Sequence, residues 1–272
     1  MKTLKIATIN LWAGLWPIFL DKKKRLKDFA GIVKQNDFDV IAIQEFWLKK
    51  DIKRMIRIFK NYHFIHYSGL FFNRSGLVIM SKFPVTKNRI EFFDKRRGIK
   101  TFINKFLFRE SYFRKAFLTC ELSVHGNTMN IVDLHVPYNR QPELNDYFRD
   151  FVFDKVRHLK NVLIFGDFNS DYKNIRVPEN IHIVTGDTKS SLKKVNPYAN
   201  TPTNKFTHQV WACDLIYSNF ECDVLKSGTI EKPIISDHYL VWAEIGFRME
   251  YGSSKPSYHL LSKGIDIDSL SS

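Results

Sequence analysis

The run Gly166-Asp167-Phe168-Asn169 directly follows an apolar stretch ending at Phe165 and sets a carboxylate and an amide two residues apart. At a strand end both can point into one pocket, where the amide donates to a phosphoryl oxygen and the carboxylate orients a water. Taken singly, Gly-Asp-x-Asn is also good turn chemistry. Ser236-Asp237-His238, beside the last apolar stretch, couples an acid to an imidazole. One carboxylate can hold an imidazole in the tautomer that takes a proton from water, although a single His at a strand start is more often a structural residue. Glu45 closes the run 40–43 in Ile43-Gln44-Glu45-Phe46-Trp47, and an acid beside such a run needs solvent or a cation. Asn10 terminates the first apolar segment, and His135 ends Ile131-Val132-Asp133-Leu134. A hard-cation oxygen ligand, an imidazole base, and amide plus imidazole donors together suit hydrolysis of a phosphate ester.

These groups act together only if the chain gathers them. Alternation predicts a strand over 4–9, and the spacing of Leu26, Phe29, Ile32 and Val33 predicts a helix over 21–35. A buried strand follows at 40–43, then a basic amphipathic helix at 49–60 with Ile52, Met55, Ile56 and Phe59 on one face. Further strands are expected at 62–66, 76–81, 87–93, 116–124 and 128–136, a helix at 142–159, and strands at 162–165, 181–184, 214–217 and 239–245. Many strands, few helices and no repeat period predict one α/β domain on packed sheets, without an internal linker. Asn10, Glu45, His135, Asp167 with Asn169, and Asp237 with His238 are all expected at the carboxyl ends of apolar strands, where a sheet would collect them.

The composition agrees with a folded enzyme and narrows its partners. At 272 residues, 44% hydrophobic and 15% aromatic, the chain can bury a large core, which excludes overall disorder. No stretch approaches a membrane span, and no secretory signal is visible, so a cytoplasmic or peripheral membrane location and a monomer are expected. Cys120, Cys213 and Cys222 form no CxxC pair, which argues against a disulfide framework or a structural zinc site. The net charge of +14 asks for an anionic partner: nucleic acid, an anionic membrane face or a phosphorylated substrate.

The set of motifs resembles the endonuclease/exonuclease/phosphatase superfamily, over about residues 3–247. The resemblance implies a DNase I-like four-layer α/β sandwich, two packed central β-sheets flanked by helices, with the site at one end of the sheets. It implies Mg²⁺, or alternatively Mn²⁺, held by Glu45 with Asn10 beside it and Asp237 in support. It also implies His238 as the general base, oriented by Asp214 of Cys213-Asp214-Leu215. Asp167 would assist at the nucleophile or leaving oxygen, and Asn169 and His135 would stabilise the pentavalent phosphorus. On this reading residues 1–248 form the catalytic domain and 249–272 a flexible tail rich in Ser.

Three stretches are similar to the neutral sphingomyelinase branch: His135 through Tyr138-Asn139-Arg140-Gln141, Tyr67-Ser68-Gly69 through Ser75-Gly76-Leu77 to Ser81-Lys82-Phe83-Pro84, and Gln44-Glu45-Phe46-Trp47. Asn139, Arg140 and Lys115 are the substrate-binding residues this implies, with Glu110 and Lys115 at the spacing of a gating acid and lysine. Where the family writes Arg-Ile-Asp, this chain has Ala212-Cys213-Asp214, so a positive charge near the phosphate is missing or supplied elsewhere. The implied activity is a Mg²⁺-dependent phosphodiesterase cleaving sphingomyelin to ceramide and phosphocholine at a membrane surface. A nuclease acting on DNA or RNA with the same residues is the alternative, favoured by the charge. An idle binding module of this fold would require a missing ligand, yet every expected position is filled.

Residues 88–115 stand apart, with nine Lys or Arg, three acids and six Phe. Phe102, Phe106 and Phe113 among Lys100, Lys105, Arg109, Arg114 and Lys115 can lie at a bilayer, stack on a nucleic-acid strand, or pack as a local core under a basic face.

Overall fold

The computed structural model describes residues 1–13, 21–93, 115–136, 142–185 and 212–248. The first sheet contains β1 (Lys2–Ala13), β2 (Val40–Phe46), β3 (His63–Ser68), β4 (Asn73–Ser81), β11 (Cys222–Ile230) and β12 (Leu240–Phe247). The second contains β5 (Val85–Phe92), β6 (Ala116–Val124), β7 (Asn127–His135), β8 (Val162–Asp167), β9 (His182–Ile183) and β10 (Asp214–Ser218). Their orders are β11-β12-β1-β2-β4-β3 and β5-β6-β7-β8-β10-β9.

Two pairs, β1 with β2 and β7 with β8, are parallel and the rest antiparallel. A parallel pair needs a crossover, and helices provide it. Helix α1 (Lys22–Asn36) links β1 to β2, and α3 (Pro142–Val156) links β7 to β8. Helix α2 (Lys49–Ile58) follows β2.

Side-chain alternation sorts the core into layers. Leu4, Ile6, Val40 and Ala42 meet Leu118, Ile131, Leu163 and Ile216 between the sheets. The opposite faces of the same strands, Ala7, Ile9, Ile41 and Ile43, pack under Leu26, Phe29, Ile32, Ile52 and Met55 of α1 and α2. Val132, Leu134 and Ile164 likewise pack under Val152, Phe153 and Val156 of α3. Strands covered on both faces read as continuous apolar runs, which is why β1, β2 and β8 were legible. The four-layer sandwich is the architecture expected from the sequence. Among the described residues, no helix is long and apolar enough to cross a membrane.

Several boundaries differ from expectation. β1 runs on to Ala13 through a register shift after Asn10. β11 was not expected at all: it is an edge strand, largely exposed on both faces, with a register shift between Val224 and Lys226 that spoils any alternation. Residues 94–114 of the basic aromatic segment, including Glu110, lie outside the described residues, as do Asn139, Arg140 and the tail 249–272.

Candidate active site

Parallel strands bring their carboxyl ends to one edge, and that edge holds Asn10, Glu45, His135 and Asp167, from β1, β2, β7 and β8. One of the expected placements needs correction. Ser236-Asp237-His238 precede β12, so Asp237 and His238 come from an amino end, as does Asp214, which opens β10 where a strand was expected. They reach the same edge because β10 and β12 run antiparallel to β8 and β1; Asp214 pairs with Asp167 directly.

Local backbone geometry aims the groups. Gly166 has φ of 150°, and a Cβ there would lie 2.0 Å from the Leu134 carbonyl oxygen, so only glycine lets β8 approach β7 just before Asp167. Three non-glycine residues at this edge are left-handed: Trp12 (φ 45°), Glu45 (φ 55°) and Asn169 (φ 48°). Such conformations cost of order 1–3 kcal/mol each and collect at functional sites. In strict alternation Glu45 would follow Ile43 toward the helices, and the φ reversal turns its carboxylate to the edge instead. Trp47, two residues on, lies within 3 Å of a Cβ position at Gly76, itself at φ 70°, so glycine makes room for the ring.

The described site residues form one connected network. His238 Nδ1 lies 2.6 Å from Asp214 Oδ2, in a fully buried setting. Asn10 Nδ2 donates to Asp167 Oδ2 at 3.0 Å, while the Asn169 backbone N–H donates to Asp167 Oδ1 at 2.9 Å. His135 Nε2 stands 3.5 Å from Asp167 Oδ2, and His238 Nε2 stands 4.0 Å from the same oxygen. Lys115 Nζ is 3.5 Å from Glu45 Oε1 and within 2.8 Å of both ring nitrogens of His135. Only one of those two approaches can be a true hydrogen bond, because the ring lone pairs diverge in the plane. Ser236 Oγ donates to the Asn10 carbonyl at 2.6 Å, tying the Asp237-His238 segment to β1.

Three supports were not foreseen. Arg25, on the buried face of α1, donates to the carbonyls of Leu11 (3.1 Å), Trp12 (3.2 Å) and Ile235 (2.9 Å) and so clamps both strand ends next to Asn10 and Ser236. Arg149 Nη1 donates to Ser170 Oγ at 2.6 Å, bracing the turn that carries Asn169. Gln44 Nε2 bridges Thr8 Oγ1 at 3.2 Å and the buried Asp133 Oδ1 at 2.6 Å, joining the two sheets one residue before Glu45. The sequence signal available for Arg25 was a cation between apolar helix positions.

The electrostatics follow from burial and mutual charge. Burial raises the Glu45 carboxyl above its usual range; Lys115 opposes this, and Asp237 and Asp167 add to it. Asp167 is likewise raised, by burial and then by Asp214, against the pull of His238. Burial, Lys115 and His238 hold His135 well below the ordinary imidazole value, so it is neutral. For His238, burial acts downward, but the Asp214 charge and hydrogen bond, the bond with Cys213 and the charge of Asp167 carry it well above that value. Burial lowers Lys115 despite Glu45 and Asp167.

Glu45, Asp237 and the second lone pair of the Asn10 amide oxygen offer only hard oxygen ligands, and the carboxylates destabilise one another's charge. That donor set fits a divalent cation such as Mg²⁺, which keeps several waters and needs no closed protein cage. Cys213, Asp214 and His238 also bring ligand atoms within 4.8 Å of one another. Their 2.6 Å Nδ1 to Oδ2 separation, however, is a hydrogen bond, shorter than the gap two ligands of one ion would leave.

Solved structures share this architecture. D. rerio TDP2 complexed with a single-strand DNA product superposes with a TM-score of 0.70 at 14% identity, over 91% of this chain and 100% of that one. Truncated C. elegans TDP2 gives 0.69 at 19% identity, over 89% and 97%. An endonuclease/exonuclease/phosphatase family protein from Bacteroides thetaiotaomicron gives 0.68 at 15%, over 91% and 99%. At such identities these likenesses speak for the fold. No curated protein matches the chain. The model of the Endonuclease/Exonuclease/phosphatase family matches residues 7–238, from β1 through His238. With the strand-end polar edge, this makes the chain a member of that family, whose enzymes are divalent-metal-dependent hydrolases of phosphodiester bonds.

Proposed function

We propose that the protein is a Mg²⁺-dependent phosphodiesterase of the phospholipase C type, hydrolysing sphingomyelin to ceramide and phosphocholine with residues 1–248 as its catalytic unit. The observation that carries the chemistry is the buried His238–Asp214 pair, 2.6 Å apart, whose free Nε2 faces Asp167.

Asp214 accepts from the Nδ1–H of His238 and thereby leaves Nε2 as the atom that takes a proton from water. As the water oxygen bonds to phosphorus and the P–O bond to ceramide breaks, Asp214 stabilises the imidazolium that forms, and the ceramide oxygen takes up a proton and leaves as the alcohol. Asp167 is oriented by the Asn10 amide and the Asn169 N–H and stands at the oxygen that enters or leaves. Neutral His135 supplies one N–H to the phosphoryl oxygens. Asn169 spends one amide hydrogen on the Val136 carbonyl at 2.7 Å and keeps the other for the phosphoryl group. Lys115 contributes positive charge at the pocket where the family's usual arginine is replaced by Ala212. Glu45, Asn10 and Asp237 would hold Mg²⁺, which when bound neutralises charge developing on the phosphoryl oxygens.

The lipid substrate is supported by the three stretches similar to neutral sphingomyelinases. A nuclease with the same residues is the second reading, favoured by the charge of +14 and by the DNA product in the D. rerio TDP2 structure. Purified protein with Mg²⁺, offered sphingomyelin vesicles and in parallel supercoiled plasmid and single-stranded RNA, separates them. Phosphocholine release without nicking upholds the lipid substrate. Nicking that is abolished by His238→Ala, with inert vesicles, replaces it with the nuclease.

A further inference from the structure

The loop joining β3 to β4 turns three consecutive apolar side chains outward: Leu70 is 81% exposed, Phe71 68% and Phe72 36%. Burying these groups within the chain would have been favourable, so a contiguous exposed triplet is a feature to be explained. The loop is firmly held. Gly69 N–H donates to the Phe72 carbonyl at 2.6 Å, Lys49 N–H to the Phe71 carbonyl at 3.3 Å, and Asn73 N–H to the Trp47 carbonyl at 2.8 Å. It is therefore strapped to the segment that immediately follows Glu45, at the same end of the sheets as the active site. Beside it the first turns of α2 carry Lys49, Lys50 and Lys53, and these six residues together with Leu48 line one open groove of about 340 Å³.

We infer that this tip and its lysines dock the active-site end of the protein onto an anionic lipid bilayer. Exposed apolar side chains beside a cluster of lysines match the two layers of a membrane face, acyl boundary and charged headgroups. Nucleic acid fits the surface less well. Its bases need flat aromatic platforms. The most exposed residue is a leucine, and Phe71 and Phe72 meet edge to face at 65°, with no shared stacking plane. The inference deepens the lipid reading of the site and rests on it for its purpose, yet it concerns binding alone and is measured without substrate.

Co-sedimentation with phosphatidylcholine vesicles carrying about 30% phosphatidylserine, free of sphingomyelin, tests it. Two variants are compared with the wild type: L70N/F71N and K49Q/K50Q/K53Q. The wild type should bind these vesicles and bind pure phosphatidylcholine far less. L70N/F71N should bind at least about tenfold more weakly, and the triple lysine variant roughly a hundredfold more weakly at low salt, since each lysine near an anionic surface contributes about fivefold. Both variants should keep the wild-type unfolding midpoint and the wild-type rate on soluble bis(p-nitrophenyl) phosphate. Equal vesicle binding by L70N/F71N, or no binding by the wild type, overturns the inference. So does loss of single-stranded oligonucleotide binding in L70N/F71N with vesicles ignored throughout. A protein that binds these vesicles but leaves sphingomyelin intact upholds the docking surface while removing the sphingomyelinase reading.

Discussion

Replacing Asp214 by Asn keeps the volume of a fully buried side chain and removes only its charge. In the folded protein His238 Nδ1 lies 2.6 Å from Asp214 Oδ2, which puts the centres of the imidazolium and carboxylate charges about 4 Å apart. At an effective dielectric of about 20, that attraction amounts to ~4 kcal/mol. With no metal bound, Asp214 and Asp167 favour the imidazolium at rest; a divalent cation held by Glu45 and Asp237 would offset that charge and leave His238 neutral, so that the imidazolium forms as it takes the proton from water and the loss falls on the transition state. At ~1.4 kcal/mol per decade, kcat should fall about a thousandfold. The assay is hydrolysis of bis(p-nitrophenyl) phosphate at saturating Mg²⁺, with thermal unfolding run alongside to confirm an intact fold. The two residues act as one unit, so D214N/H238A should be hardly slower than H238A alone. A D214N enzyme within tenfold of wild-type kcat, or a double variant slower than H238A by the full D214N factor, would refute the pairing as the source of the base.

Further expectations concern the metal, the backbone and the core. Glu45→Ala should lower activity by several orders of magnitude and flatten the Mg²⁺ dependence; near wild-type turnover would remove Glu45 from the metal site. Gly166→Ala should destabilise the fold by about 2–4 kcal/mol, because its Cβ meets the Leu134 carbonyl and the backbone is left-handed; an unchanged denaturant midpoint would contradict this. Burial, against the bonds from Gln44 and the backbone, raises the Asp133 carboxyl well above its usual range, so the folded protein keeps a proton that the unfolded chain has lost. Stability therefore falls as pH rises from the ordinary carboxylate range toward the folded value. Asp133→Asn should cancel that share of the decline and gain about 1–3 kcal/mol at neutral pH, its amide donating to the Gln44 Oε1 that is otherwise unpartnered among the described residues. Denaturant titrations of both proteins across pH measure the difference, and parallel curves would count against a neutral Asp133.

The layers were legible because strands buried on both faces spell continuous apolar runs, and the candidate site was legible because Asn10, Glu45, His135 and Asp167 interrupt those runs at their ends. Sequence spacing could not join His238 to Asp214, 24 residues apart in the chain, and that match came from the family pattern. The direction of approach was misread for the same reason: a motif before a strand and one after it look alike until antiparallel pairing brings both to one edge. Arg25 was not singled out within the helix 21–35, whereas the fold turns it inward onto three carbonyls. Lys115 belongs by composition to a docking segment, yet its ammonium is directed at Glu45 and His135. Asp133 was passed over as an acid in a strand, since nothing local says that its face lies between two sheets. β11 was missed because an exposed edge strand carries no apolar period.

Hydrolysis of sphingomyelin vesicles in ¹⁸O-labelled water, followed by ³¹P NMR of wild type and His238→Ala, tests most directly whether this edge delivers water to phosphorus. The expected result is phosphocholine carrying one ¹⁸O on phosphorus, formed only with the divalent metal present and nearly abolished in the variant. Unlabelled phosphocholine, release of free choline in its place, or an undiminished rate in His238→Ala would contradict it.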